Sequence, residues 1–217
     1  MAADRTTARY IAVEGPIGVG KTALARRLAT EFGSRLLLEQ VEENSFLRKF
    51  YEDPARHAFE AQIGFLFQRY RQQRELAEAD PTVGTVADYL FAKDRIFASI
   101  TLDSNELALY ERIYEHLGPR VLKPDLVIYL QARLEVLLAR IKKRGREFER
   151  RFDVDYLAEL SRTYNDFFHR WDETPLLVIN TSDIDFAESE QDLDDLVRAI
   201  TRCKAGTQYY QPLGTRV

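Results

Sequence analysis

The chain has 217 residues, enough for one domain with a sizeable core, and its hydrophobic fraction of 45% is ordinary for a globular protein. A net charge of −4 excludes a global attraction to nucleic acid or to an anionic membrane, so any basic site must be local. One cysteine, Cys203, excludes an internal disulfide; no run approaches 18 apolar residues, and residues 1–7 lack the apolar stretch of a signal peptide. The expectation is a cytoplasmic protein with neither a membrane nor a nucleic acid as partner.

The first predicted strand is Tyr10–Glu14, and it leads directly into the most informative stretch of the chain. Gly15-Pro16-Ile17-Gly18-Val19-Gly20-Lys21-Thr22 reads G-x-x-x-x-G-K-T. In such a phosphate-binding loop, glycines let backbone N–H groups wrap the phosphates, Lys21 supplies a cation, and the Thr22 hydroxyl is offered to Mg²⁺. Gly15, Gly18 and Gly20 are the cradle residues. Next comes a helix from Lys21 to Phe32, with Leu24, Leu28 and Phe32 at helical spacing and Gly33 as its stop. Its N-terminus faces the anion site.

Further strands are predicted at 35–39, 85–88, 125–130 and 176–180, separated by helical patterns. This alternation predicts an α/β domain with a five-stranded parallel sheet covered on both faces. A long helix is expected from Asp53-Pro54 to about Leu76, with Asp53 as its cap. Others are expected near 105–117, 134–143, 156–171 and 190–202. The tail from about 203 to 217 lacks periodicity and reads as loose. Glu39, Asp88 and Asn180 each close a strand, and ligands of open parallel sheets bind at the carboxyl ends of strands. Glu39 and Asp88 therefore belong on the same side as the phosphate loop.

Residues 140–151 carry seven cations in twelve positions, with Gly145 among them. A lid over about 141–153 is expected, whose arginines neutralise charge on a transferring phosphoryl group. Arg140 and Arg144 share a helix face at i, i+4. Asn180-Thr181-Ser182-Asp183 resembles the guanine-reading sequence of regulatory GTPases. Those proteins need D-x-x-G, and no glycine here has an aspartate three positions before it. A small-molecule kinase fits the size and the lid.

The ordered blocks of this chain resemble the deoxynucleoside kinase family, and its bacterial purine-type members in particular, from the first strand to about residue 200. They are the phosphate loop; Leu38-Glu39-Gln40-Val41-Glu42-Glu43-Asn44; Tyr51-Glu52-Asp53-Pro54 with Phe59, Gln62 and Arg69; Ala87-Asp88-Tyr89 through Asp94-Arg95-Ile96-Phe97-Ala98; the lid to Glu149; and, more weakly, Asp185-Phe186. The resemblance implies transfer of the γ-phosphate of ATP, with Mg²⁺ on Thr22 and Asp88, to the 5′-hydroxyl of a deoxynucleoside. A purine base, deoxyadenosine or deoxyguanosine, is implied, as are a role in nucleotide salvage and a homodimer formed through helices. Glu39 would be the general base, with Lys21, Asp88, Arg140, Arg144 and Arg146 completing the catalytic set. Tyr51 and Glu149 would hold the 3′-hydroxyl. Gln62 would read the base beside Arg69 and Asp94, with Phe65 and Phe97 stacking on it. Asp185 and Phe186 would hold adenine. Many family members have arginine directly after the acidic residue of the third strand; here Tyr89 stands there, so either relatives with an Asp-Tyr pair manage without it or another cation fills in, with Arg95 a candidate if the segment is helical.

Two alternatives remain open at this level. A thymidylate-kinase-like nucleoside-monophosphate kinase shares the architecture, although Glu39 would repel the acceptor phosphate. A nucleotide-binding switch would have no acceptor at all.

Overall fold

The computed structural model describes residues 10–146, 153–186 and 189–211. Its centre is a parallel sheet in the order β2-β3-β1-β4-β5-β6. Strand β1 (Tyr10–Glu14) is buried at every position and lies between β3 (Thr85–Ala87) and β4 (Leu126–Gln131). Strand β2 (Arg35–Leu37) forms one edge and β5 (Leu176–Asn180) extends the other side. Near-continuous apolar runs in β1, β4 and β5 are what a sheet covered on both faces requires.

The sixth strand corrects the sequence-based expectation. β6 (Thr207–Tyr210) pairs parallel with β5, from Leu176↔Thr207 to Ile179↔Tyr210. Its side chains are largely exposed, so no alternation announces it. It is held by backbone groups along the edge of β5, an attachment that hydrophobic patterning does not encode.

Helix α1 (Lys21–Phe32) buries Leu24, Ala25, Leu28 and Ala29, and Gly33 closes it at φ +59° by donating to Ala29 and Thr30 carbonyls. α3 (Pro54–Ala77) begins with proline at its first position, but Asp53 makes no side-chain cap. α5 (Ser104–Leu117) carries a capping box, with Asp103 accepting from Asn105 and Glu106 N–H and Glu106 accepting from Asp103 N–H. α6 (Leu134–Arg144), α7 (Val154–His169) and α8 (Glu190–Arg202) lie close to their expected places. Because α6 runs to Arg144, the first residues of the expected lid are helical; residues 147–152, Glu149 among them, lie outside the described residues.

Two helices had no sequence signal. α2 (Leu47–Glu52) is only six residues long, and α4 (Lys93–Thr101) places Lys93 and Asp94 on its buried face. Polar residues on the inward stripe conceal helical periodicity. That same departure marks the functional site. A main apolar cluster surrounds the sheet, and a second, containing Leu66, Phe91 and Tyr110, joins α3, α4 and α5. Phe59 packs against this second cluster, which resolves it as a core residue. Among the described residues, no helix is long and apolar enough to cross a membrane.

Candidate active site

The carboxyl ends of β1, β2 and β3 bring the phosphate loop, Glu39 and Asp88 to one end of the sheet. They open into a cavity of about 590 Å³, lined also by α3, α4, α6 and the loop after β5. Its size suits a small organic ligand.

The phosphate loop depends on glycine at positions the backbone dictates. Gly18 has φ +86°, and a Cβ there would lie 2.8 Å from the Leu137 carbonyl oxygen. Gly20 has φ +106°, and a Cβ would lie 2.9 Å from the Phe186 ring. Glu14, completely buried beneath the loop, accepts from Gly15 N–H at 2.9 Å, from Leu90 N–H at 2.8 Å and from the Tyr164 hydroxyl at 3.0 Å. It thereby locks the loop to the segment after β3. Lys21 Nζ donates to the carbonyls of Gly15 (2.7 Å) and Pro16 (3.1 Å). Burial, reinforced by the nearby Lys93 charge, lowers its pKa to about 8.

Asp88 is a hub. Its Oδ2 accepts from Thr22 Oγ1 at 2.5 Å and its Oδ1 from Glu39 N–H at 2.7 Å, so it ties the start of α1 to the backbone of the segment after β2. Burial raises its pKa. Two hard oxygen donors converge here, a set that suits Mg²⁺ with phosphate and water as the remaining ligands.

Glu39 lies two residues beyond β2 and is gripped from two helices. Arg69 of α3 donates from Nε (2.9 Å) and Nη2 to Oε1, while Lys93 of α4 donates from Nζ to Oε2 at 2.8 Å. Burial alone would raise the Glu39 carboxyl, but the charges and hydrogen bonds of Lys93 and Arg69 hold it well below the usual carboxylate range. Arg69 also reaches Asp94 through Nη1. Asp94 does not line the cavity: it is fully buried behind Arg69, and burial lifts its carboxyl to about 6 despite that partner. Asp94 pairs with the Arg69 guanidinium, which itself lines the cavity.

The remaining described residues expected at the base and sugar converge on the cavity. Gln62, Phe65, Phe97 and Tyr51 all line it. Arg69 lies over the Phe65 ring at 4.8 Å, and Lys93 over Phe97 at 5.4 Å. Gln62 Nε2 donates to Thr101 Oγ1 at 3.0 Å, and Thr101 Oγ1 donates to the Phe97 carbonyl at 2.9 Å. Because the one hydroxyl proton of Thr101 goes to that carbonyl, its oxygen must accept from Gln62. The amide orientation of Gln62 is thereby fixed, with its carbonyl oxygen left for a ligand N–H.

On the nucleotide side, Arg140, Arg144, Arg146, Asp185 and Phe186 line the cavity. Arg140 is more than a lid cation. It donates to the carbonyls of Val19 (3.1 Å), Thr181 (2.8 Å) and Ile184 (3.2 Å) and to Thr181 Oγ1 (3.1 Å), bracing the phosphate loop against the loop that carries Asp185 and Phe186. The GTPase-like Asn180-Thr181-Ser182-Asp183 is part of this brace: Ser182 Oγ accepts from Arg133 N–H, and Asp183 pairs with the Arg133 guanidinium at 2.7 Å.

Three positions in or beside the cavity have no local signature in the sequence. Lys93, Thr101 and Tyr156 lie in or beside the site without a motif, and only the Lys93-Asp94 pair, a charged dipeptide among apolar residues, hints at burial. Arg95 does not replace the absent arginine; it points outward, with Nε 3.1 Å from Glu111. Tyr89 is buried in the protein interior.

A phosphate loop at the end of β1, a carboxylate hub at β3 and a buried carboxylate facing the same cavity define a P-loop phosphotransferase. The chain belongs to the deoxynucleoside kinase family, whose profile, described as "Deoxynucleoside kinase", matches residues 11–203. It is 37% identical over 201 residues to a deoxyguanosine kinase of Bacillus subtilis, covering 91% of this chain and 97% of that one. To a deoxyadenosine/deoxycytidine kinase of the same organism it is 33% identical, with 88% and 90% covered. Among solved structures, a deoxyadenosine kinase from M. mycoides with bound dCTP superimposes with a TM-score of 0.75 at 25% identity, covering 88% of this chain and 97% of that chain. The family is one of kinases, and phosphorylation of deoxynucleosides is the activity its membership assigns here.

Proposed function

We propose that this chain uses ATP and Mg²⁺ to phosphorylate the 5′-hydroxyl of a purine deoxynucleoside. The observation that carries the reading is the placement of Glu39 and the Lys21–Thr22 end of the phosphate loop on the same cavity, joined through Asp88. A carboxylate on the acceptor side suits a neutral hydroxyl and disfavours an acceptor that already bears a phosphate. The purine preference draws on the relatives, which include deoxyguanosine and deoxyadenosine kinases.

In this reading the 5′-oxygen attacks the γ-phosphorus in line, its proton passes to a Glu39 oxygen, and the bond from the γ-phosphorus to the β,γ-bridging oxygen breaks to release ADP. A loose transition state keeps the nucleophile protonated until late, so a carboxylate of low basicity suffices. Thr22 and Asp88 would hold Mg²⁺, which supplies charge neutralisation between the β- and γ-phosphates. Lys21, Arg144 and Arg146 stabilise the transferring group, while Arg140 braces the loops around it. Phe65 and Phe97 flank the base, Gln62 accepts from one of its N–H groups, and Tyr51 takes the sugar hydroxyl, with Glu149 assigned to it from the sequence. Asp185 and Phe186 border the donor's adenine. The whole chain works as one kinase domain of the cytoplasm, in salvage of DNA precursors. Exposed Phe67 on α3 and Leu109 on α5 support a homodimer through these helices, which light scattering tests directly.

The deciding experiment measures ADP release from Mg-ATP with each of the four deoxynucleosides and, in parallel, each monophosphate. Turnover fastest with deoxyguanosine or deoxyadenosine supports the reading. Turnover only with a monophosphate transfers it to the nucleoside-monophosphate kinases. Nucleotide binding without acceptor-dependent turnover leaves a switch.

A further inference from the structure

Lys93 carries a charge to which the proposed mechanism gives no task. It is almost completely buried, yet it lines the nucleotide-sized cavity. An ammonium has three donors; among the described residues Glu39 Oε2, at 2.8 Å, is its one hydrogen-bond partner. The ring of Phe97, one helical turn on, flanks it without using a donor hydrogen conventionally. Lys21 lines the same cavity. Two like charges thus face one cavity, an arrangement that is costly without an anion between or beside them. Arg69 has Asp94 as well as Glu39 for partners, whereas Lys93 has Glu39 alone among the described residues and keeps donors that no side chain takes up. A triphosphate seated on Lys21 would offer acceptor oxygens to those donors, because both lysines line the cavity.

We propose that Lys93 is a catalytic cation of this site, clamping Glu39 with one N–H while the others bear on the transferring γ-phosphoryl group. The proposal rests on the phosphotransferase reading and assigns a role that neither Tyr89 nor Arg95 can fill, since one is buried away and the other is paired on the surface. It also accounts for the burial of a lysine on the first turn of α4: the helix delivers it between the acceptor's base and the donor's phosphates.

The test uses Lys93→Met and Lys93→Arg in the full chain, with kcat and KM measured for the best deoxynucleoside. Mg-ATP-dependent thermal stabilisation reports nucleotide binding. Lys93→Met is expected to lower kcat by about 100-fold, the scale of a lost transition-state charge contact, while Mg-ATP still stabilises the protein. A merely structural role would instead lower Tm and raise KM without a selective loss of kcat at saturating substrates. A kcat within threefold of the native chain, or a loss confined to KM, overturns the proposal. Lys93→Arg gives an independent reading should the methionine variant fail to fold: kcat within about tenfold of native supports the role, and a kcat below a hundredth of native overturns it. Deoxynucleoside-dependent turnover by the native chain with no loss in Lys93→Met removes the Lys93 role alone. Absence of acceptor-dependent turnover in the native chain removes the functional reading, and the Lys93 role with it.

Discussion

Replacing Glu39 by glutamine separates the chemistry of this site from its stability. The native carboxylate accepts from Arg69 Nε at 2.9 Å, from Arg69 Nη2 and from Lys93 Nζ at 2.8 Å, and each of these side chains is nearly buried. A carboxamide keeps the shape but offers one oxygen, so its amide N–H groups must face a cationic donor. Breaking a buried ion pair from one side costs about 3–5 kcal/mol. For a domain of this size each kcal/mol lowers Tm by about 2–4 °C, so a fall of about 6–20 °C is expected. Loss of the proton acceptor should lower kcat by about 10²–10⁴. Nucleotide binding should persist, because Lys21 and Thr22 are untouched: Mg-ATP at 100 times its Kd still stabilises by about 2.7 kcal/mol. Thermal melts with and without Mg-ATP, together with ADP release at saturating acceptor, read all three quantities. A folded Glu39→Gln variant that binds Mg-ATP and keeps a tenth or more of the native kcat would refute the assignment of Glu39 as base.

The other expectations concern pH, base recognition and the sheet edge. The Lys21 ammonium must be charged to meet a triphosphate, and its pKa in the free protein is lowered to about 8. The kcat/KM for ATP should therefore fall about tenfold per pH unit above that value, and a flat profile to pH 10 would contradict it. Thr101→Val removes the acceptor that orients Gln62, so kcat/KM for the preferred deoxynucleoside should drop about tenfold, on the scale of one hydrogen bond. Thr101→Ser should restore it, and equal loss in both variants would point to packing instead. Truncation after Gly206 strips β6 from the edge of β5 and should cost about 2–4 kcal/mol, one net backbone hydrogen bond contributing about 1. A truncated chain with unchanged denaturant midpoint would show that this strand contributes nothing.

The sequence by itself determined what depends on neighbours along the chain. The phosphate loop, the limits of β1 and α1 and the stop at Gly33 follow from local backbone demands and short periodicity, and each appears where the residues require it. Strand-end Glu39 and Asp88 were legible because chain direction in a parallel sheet gathers its carboxyl ends on one side. Tertiary structure decided what depends on partners distant in sequence. It folds Asp94 away behind Arg69, sends Arg95 to Glu111 and brings Lys93 onto Glu39 across 54 positions. It engages Arg140 with carbonyls up to 121 positions away and adds β6 to the sheet. The physical reason is common to these cases. A buried charge or an exposed edge strand violates the hydrophobic pattern of its own segment, and its position is fixed by compensating charges and backbone groups that only the assembled fold supplies.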